Sequence, residues 1–194
     1  MAPSSDRELV DRARAGESEA FGVLVRRHQK RIYRLALHLL RTGAEAEDVT
    51  QETFVRAYQA LDRFDGRSEP YTWLYRICVN LSLNQLRSRK AQRISTPVDD
   101  ARIESFLHEE RPSQGRDPSA AAQDRQLALA LAEGVDALSE TLRTTLVLVC
   151  IEGMAHEEAA KVLGCPEGTV AWRVHEARRK LREHLRTRGF GGES

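Results

Sequence analysis

Only three cysteines occur in the chain, at 78, 150 and 165. Odd in number, far apart and embedded in apolar helical patterns, they provide neither a disulfide framework nor the paired spacing of a zinc site, so buried thiols are expected. No apolar run reaches the roughly 18 residues that span a bilayer. The N-terminal MAPSSDRELV also lacks the apolar centre of a secretion signal. A cytoplasmic location without membrane insertion is the expectation. Alternation of apolar and polar residues, the mark of a half-buried strand, is almost absent. Also missing are a phosphate-cradling glycine loop, a metal cluster and an activated nucleophile, so no catalytic residue, metal or cofactor is expected. His156-Glu157-Glu158-Ala159-Ala160 opens like a zinc-protease helix, but alanine stands where the second histidine ligand belongs. An excess of one charge is lacking too: 30 basic residues face 29 acidic ones. Spread evenly, that balance would argue against a nucleic-acid partner.

The charges are instead segregated. Glu45, Glu47, Asp48 and Glu52 form an acidic patch, Arg87, Arg89, Lys90 and Arg93 a basic one, and Asp99, Asp100, Glu104, Glu109 and Glu110 a second acidic one. Helical periodicity runs from about Asp6 to Arg89 and resumes from about Asp124 to Leu185. The fold is therefore expected to be all-α, with two small helical domains joined by a flexible linker: residues 1–92, a connector over 93–125, a second domain over 126–189 and a tail over 190–194. Prolines and polar residues mark the connector, with one helical turn expected near Ile103 to Leu107. About 30 residues of coil span roughly 30 Å on average and about 100 Å when extended.

The segment MAHEEAAKVLGCPEGTVAWRVHEARRKL, residues 154–181, reads as a helix-turn-helix. Ala160 lets two steeply crossing helices approach, Gly164 can adopt the positive φ that ends a helix, and Val170 fills the joint. Pro166 suits the first position of the second helix, where no amide hydrogen is needed. Val170, Val174, Ala177 and Leu181 face inward, which leaves Thr169, Ala171, Trp172, Arg173 and Glu176 as candidate base readers. Arg178, Arg179, Lys180, Arg182 and Arg186 suit phosphate contact. A plain helical hairpin with a solvated basic face is the alternative.

In the first half, Phe21, Leu24, Val25, His28, Ile32, Leu35 and Leu39 make one apolar stripe, with His28 a satisfied core residue. The next helix, from Ala44 to Leu61, turns Ala46, Val49, Thr53, Phe54, Ala57 and Leu61 inward, while Asp48, Gln51, Glu52 and Val55 share the other side. An acidic edge beside an apolar side chain suits a protein partner; a merely solvated face is the competing reading. After a turn-rich loop, residues 71–87 form a helix on which Arg76, Asn80, Asn84 and Arg87 fall on one stripe. Asparagine bonds base edges, arginine grips phosphate, and Tyr71, Trp73 or Tyr75 can stack an unpaired base, unless Trp73 belongs to the core.

Three strings, in order, resemble the bacterial RNA polymerase sigma factors of the extracytoplasmic-function group in the sigma-70 family: AEAEDVTQETFVRAY at 44–58, RFDGRSEPYTWLYRICVNLSLNQLR at 63–87 and the helix-turn-helix. The likeness covers nearly the entire chain. It implies a sigma-2-like bundle that docks on the β′ clamp helices of core RNA polymerase through Asp48, Gln51, Glu52 and the neighbouring Val55. The same bundle would recognise the minus-ten element, with the loop Phe64, Asp65, Gly66, Arg67, Ser68 receiving a base flipped from the non-template single strand. Trp73, Arg76, Asn80, Asn84 and Arg87 would line or flank that surface. A sigma-4-like domain would meet the β flap and read duplex promoter DNA at the minus-thirty-five element. Thr169, Ala171, Trp172, Arg173, Glu176, Arg178 and Arg179 are its contacts. An anti-sigma factor acting in trans is implied as well. The chain departs from the common pattern at Ala171-Trp172, where the family often has a basic residue and a small one, at Glu176, often basic, and at Pro70, often aromatic. Outside the resemblance, two rivals remain. One is an ordinary helix-turn-helix regulator whose first half binds a ligand or dimerises. The other is an all-α nucleic-acid enzyme, for which Glu157 and Glu158 would have to act together although neighbouring helical residues point about 100° apart.

Overall fold

A computed structural model describes residues 4–95 and 118–190, and every regular element among them is helical. Helix α1 (Asp6–Arg14) begins at Ser5 with a capping box: the Ser5 hydroxyl accepts from the Glu8 amide at 3.2 Å, and the Glu8 carboxylate accepts from the Ser5 amide at 2.9 Å. Helix α2 (Ser18–Leu40) buries the stripe Phe21, Leu24, His28, Ile32, Leu35 and Leu39. His28 is a bonded core residue, its Nε2 lying 2.6 Å from Asp6 Oδ2. The helix ends at Arg41, the non-glycine residue of left-handed conformation (φ 67°) among those described, whose amide donates to Leu37 O at 2.9 Å.

Helix α3 (Gly43–Gln59) is followed by a 3-10 turn at Leu61–Arg63, a loop, and helix α4 (Pro70–Ser95), which starts on a proline as first-turn chemistry favours. These elements form the N-terminal lobe around Leu24, Ile32, Leu35, Leu39, Leu40, Leu74 and Val79. Arg89 fastens α4 to the end of α2: it donates to Leu40 O and Thr42 Oγ1, each at 3.1 Å, and pairs with Glu45. One member of the sequence's basic patch is thus a structural staple.

The C-terminal lobe comprises α5 (Pro118–Ala137), α6 (Glu140–Leu146), a π-helical turn at Val147–Ile151, α7 (His156–Leu163) and α8 (Glu167–Thr187). Gly134 lets α5 lie against α8: a Cβ there would stand 3.0 Å from both Leu181 Cδ2 and His184 Cδ2. At the helix-turn-helix joint Ala160 and Val170 are buried, and Gly164 takes φ 63°. Pro166 stands one place earlier than its spacing suggests. With ψ 149° it is the extended N-cap, its carbonyl accepting from the Val170 amide at 3.3 Å, and the first helical residue is Glu167. The fixed φ of proline suits either position.

The connector is shorter than expected at both ends. Helix α4 continues to Ser95, and α5 begins at Pro118 because ProSerAlaAlaAla combines a favourable first residue with strong helix formers. The turn expected near Ile103 to Leu107 and the acidic residues from Asp99 to Glu110 lie outside the described residues. No described helix is long and apolar enough to cross a membrane.

The lobes also pack on each other. Val147, Leu148, Met154, Ala159, Val162 and Val170 belong to the same apolar cluster as Leu35, Leu39, Leu74 and Cys78. A second, smaller cluster of Leu138, Leu142, Leu146 and Ala177 serves the C-terminal lobe alone. Two lobes are present as the periodicity implies, but they share a core.

Candidate nucleic-acid interfaces

On α3, burial of Ala46, Val49, Thr53, Phe54 and Ala57 turns the opposite face outward. Asp48 and Gln51 are exposed there and make no hydrogen bond among the described residues; Glu52 accepts from Arg56 Nε at 2.7 Å. Val55 is 49% exposed and Tyr58 50% exposed. Tyr58 was missed in the sequence, although its spacing of seven from Gln51 places it on the same face. An exposed aliphatic and a half-exposed ring that packs on Phe21 with centroids 5.1 Å apart, beside two unbonded polar side chains, make a surface suited to another protein.

The loop between the 3-10 turn and α4 is bent at Gly66 (φ 69°), and Asp65 Oδ1 accepts from the Arg67 amide at 3.0 Å. The side chains of Asp65 and Arg67 are 57% and 89% exposed and pair with each other, Arg67 Nε lying 3.3 Å from Asp65 Oδ2. Phe64 is buried at 7% exposure and packs on Trp73 with ring centroids 5.0 Å apart. That corrects its expected role as a base contact: the apolar ring closes the bottom of the lobe core and carries the loop. Trp73 is half-buried with a face given to Phe64, which answers its ambiguity in favour of packing, and Tyr75 is buried as well.

Along α4 the four polar residues Arg76, Asn80, Asn84 and Arg87 are all exposed, opposite Leu74, Cys78, Val79 and Ser82. Asn80 and Asn84 make no hydrogen bond among the described residues, so their amides are available to base edges. The two ends of the stripe are engaged by the other lobe. Arg76 Nε donates to Lys161 O at 3.1 Å, and Arg87 Nη2 approaches Glu140 Oε1 at 3.5 Å.

Further bonds join the lobes at the same place. Tyr71 donates its hydroxyl to Glu158, and Tyr75 donates to Glu152 Oε2 at 3.0 Å. Glu152, with a side chain only 4% exposed, also meets His38 Nδ1 at 3.4 Å. Burial pushes its carboxyl up, but the hydrogen bonds from His38 and Tyr75 and the charges of His38 and Arg34 outweigh that and hold it below the usual carboxylate range. Burial likewise raises the Tyr75 phenol, helped by the Glu152 charge. At the rim Arg41 Nη2 lies 3.3 Å from Asp136 Oδ1; burial lowers the guanidinium to about 10, against the pull of Asp136. Helix α7 therefore lies across part of the surface from which α4 would read an unpaired strand.

On α8, Thr169 is half-exposed, Ala171 exposed and Trp172 62% exposed, an uncovered indole on the outer face of a helix-turn-helix. Arg173 Nη1 contacts Cys165 Sγ at 3.6 Å, and Arg178 Nη2 contacts Cys150 Sγ at 3.4 Å. The structure brings two predicted DNA contacts together: both Glu176 oxygens accept from Arg179 at 2.8 Å, and Arg179 also reaches Glu183 at 3.2 Å. Glu176 is accordingly held below its usual range by the Arg179 hydrogen bonds, and the Arg179 guanidinium is raised by the same partner.

Known proteins give the arrangement its context. The family model described as Sigma-70 region 2 matches residues 24–92, and that described as Sigma-70, region 4 matches residues 128–181. The chain is 34% identical over 185 residues to the RNA polymerase sigma-H factor of Pseudomonas aeruginosa, covering 95% of this chain and 96% of that one. It is 34% identical to the ECF RNA polymerase sigma-E factor of Escherichia coli, covering 91% of this chain and 92% of the relative. Among solved structures, CnrH in complex with the cytosolic domain of CnrY matches with a TM-score of 0.68 at 30% identity, covering 95% of this chain and 99% of the other. The sigma factor RpoE of Bartonella quintana, solved with the anti-sigma factor NepR, matches with a TM-score of 0.65 at 25% identity, over 86% and 96% of the two chains.

Proposed function

The chain belongs to the extracytoplasmic-function group of sigma factors, promoter-specificity subunits of RNA polymerase, and from that premise we propose how its surfaces divide the work. The face of α3 made by Asp48, Gln51, Glu52 and Val55, with Tyr58 added, docks on the β′ clamp helices of core polymerase. Asp65, Gly66, Arg67 and Ser68 receive a base flipped from the non-template strand of the minus-ten element. Asn80 and Asn84 bond the neighbouring base edges, while Arg76 and Arg87 hold phosphates. The C-terminal lobe meets the β flap and lays α8 in the major groove of the minus-thirty-five element. There Trp172 touches a thymine methyl, Thr169, Ala171 and Arg173 flank the bases, and Arg178 and Arg179 hold phosphates.

The observation that carries this reading is the α4 stripe, in which two asparagines whose side chains bond nothing among the described residues stand between two arginines. Flipping a base costs a few kcal/mol, which stacking at roughly 1 to 3 kcal/mol per base and hydrogen bonds in the loop offset without ATP. The chain's own residues bind and orient the strand; bond making belongs to polymerase.

Reading through α4 requires α7 to leave it. The α3 face is uncovered while the lobes are closed, so docking on polymerase precedes strand reading. The relative from Bartonella quintana is solved with an anti-sigma factor, and we extend that partner class to this chain as a regulator in trans.

The test is Asn80→Ala in a reconstituted holoenzyme. Open-complex formation should fall while affinity for core polymerase stays near normal; equal loss of both refutes the division of labour. An ordinary helix-turn-helix regulator would be favoured only if Asp48→Ala with Glu52→Ala left recovery of core polymerase unchanged.

A further inference from the structure

The loop proposed to receive the flipped base lies between a 3-10 turn and α4; Leu61 O already accepts from the Phe64 amide at 3.1 Å, whereas the carbonyls of Phe64 and Gly66 accept from no backbone amide among the described residues. Two arginines of α1 supply the donors. Arg14 Nη2 donates to Leu61 O at 3.1 Å and also to Phe64 O. Arg7 Nη1 donates to Gly66 O at 3.1 Å, while its Nη2 and Nε hold the Glu69 carboxylate at 2.8 and 3.2 Å. Seven residues apart, the two arginines stand on one face of the helix. Glu69 in turn sits at the mouth of α4, its carbonyl accepting from the Trp73 amide at 3.2 Å.

Helix α1 is itself well fixed. Leu9, Val10 and Ala13 are buried, and Asp6 bonds both His28 and Arg27 of α2. The arginines thus tie loop backbone to a rigid support on one side and, through Glu69, to the start of α4 on the other. The loop's own contacts are local: the Asp65–Arg67 turn and ion pair, the Phe64 amide on Leu61 O, and the Phe64–Trp73 packing. Because the bonds are to carbonyls at 61, 64 and 66, they fix the backbone path while leaving the side chains of Asp65 and Arg67 outward.

We infer that α1, which lies outside the residues matched to region 2, is the positioning element of the base-receiving loop, and that Arg7 and Arg14 are positioning residues that set its backbone path and so determine which base it accepts. This rests on the reading of the loop given above.

The experiment uses holoenzyme reconstituted with the full chain and a set of non-template minus-ten oligonucleotides carrying each of the four bases at each position. Arg7→Ala, Arg7→Lys, Arg14→Ala and Arg14→Lys are compared with the loop variants Asp65→Ala and Ser68→Ala, and thermal unfolding and core-polymerase affinity are measured for each. Arg7→Ala and Arg14→Ala should flatten discrimination at one oligonucleotide position, the position that the loop variants also affect. The preferred base there should lose about tenfold, within the usual span for one recognition contact. Polymerase affinity and the salt dependence of binding should be unchanged, and lysine, which keeps a donor, should restore part of the preference. Loss spread evenly over all positions, or a shallower salt dependence, would make the arginines general supports or phosphate contacts and overturn the inference. If the loop variants relax discrimination and the arginine variants do not, the inference alone fails. If neither set does, the loop reading falls with it.

Discussion

Tyr75→Phe isolates the closure of the two lobes, because it removes one hydroxyl and nothing else. That hydroxyl is buried, donates to Glu152 at 3.0 Å, and meets a carboxylate held in its charged form. A hydrogen bond to a charged group contributes about 1.5–3 kcal/mol net. In the open form both groups return to water, so the loss falls almost entirely on the closed form. Taking about 2 kcal/mol, the ratio of closed to open chain drops roughly 30-fold. Apparent affinity for a strand that binds only the open form scales with the open fraction. A fluorescently labelled single-stranded minus-ten oligonucleotide should therefore bind the free variant up to about 30-fold more tightly than the free parent, with the gain levelling off once the open form predominates. Glu152→Gln should act in the same direction and less strongly, since an amide still accepts from Tyr75 but forfeits the charge. Small-angle X-ray scattering on the same samples should show a larger radius of gyration. An expanded variant with unchanged oligonucleotide affinity would refute the idea that α7 shields α4; an unexpanded one would refute the hydroxyl as a latch.

Glu152 also makes closure pH-dependent. Its carboxyl is held below the usual carboxylate range while the lobes are closed, so its contribution is present above that range and is lost as pH falls through the lowered value. Scattering between pH 7 and pH 3.5 should show the parent expanding at the acid end and Glu152→Gln responding less; identical profiles would remove Glu152 from the linkage. The thiols should separate by burial. Cys150 is exposed, Cys165 half-exposed, and Cys78 is buried, with burial pushing its thiol up to about 12. At pH 8 a thiol reagent should modify Cys150 at once and Cys165 more slowly, whereas Cys78 should react only as the chain unfolds. Three rapid equivalents from the native protein would contradict the packing of α4 against α2.

What the sequence disclosed was whatever repeats locally. The stripe from Phe21 to Leu39, the polar stripe of Arg76, Asn80, Asn84 and Arg87, and the joint of Ala160, Gly164 and Val170 each follow from side chains recurring at helical spacing, and each lies where that spacing puts it. Boundaries were less legible, because a proline such as Pro118 or Pro166 announces a helix start without saying which residue bonds first. Phe64 shows the other limit. In a turn-rich string it looked like a loop residue offered to a ligand, but an aromatic beside a helix start packs where an apolar partner stands, here Trp73. Arg7 and Arg14 were invisible as loop anchors because their acceptors are backbone carbonyls, which carry no residue identity to read.

The closed arrangement was hidden for a further reason: several of the groups that make it are of the types that strand binding would use. Arg76 can bond Lys161 O or a phosphate, and Tyr71 can bond Glu158 or stand beside a strand, so no residue type marks the contact between lobes. Such double use has a thermodynamic consequence. A ligand moves a two-state equilibrium only by its difference in affinity for the two states, and a strand competing for α4 replaces contacts of similar kind, leaving little net drive to open the chain. Polymerase is differently placed. The α3 face with Val55 and Tyr58 is exposed in the closed chain, so under the proposed division of labour docking would begin without opening, and the drive would come from a second hold on the C-terminal lobe. On that logic core polymerase that still grips α3 but has lost its contact to the C-terminal lobe should bind this sigma factor and fail to free its α4.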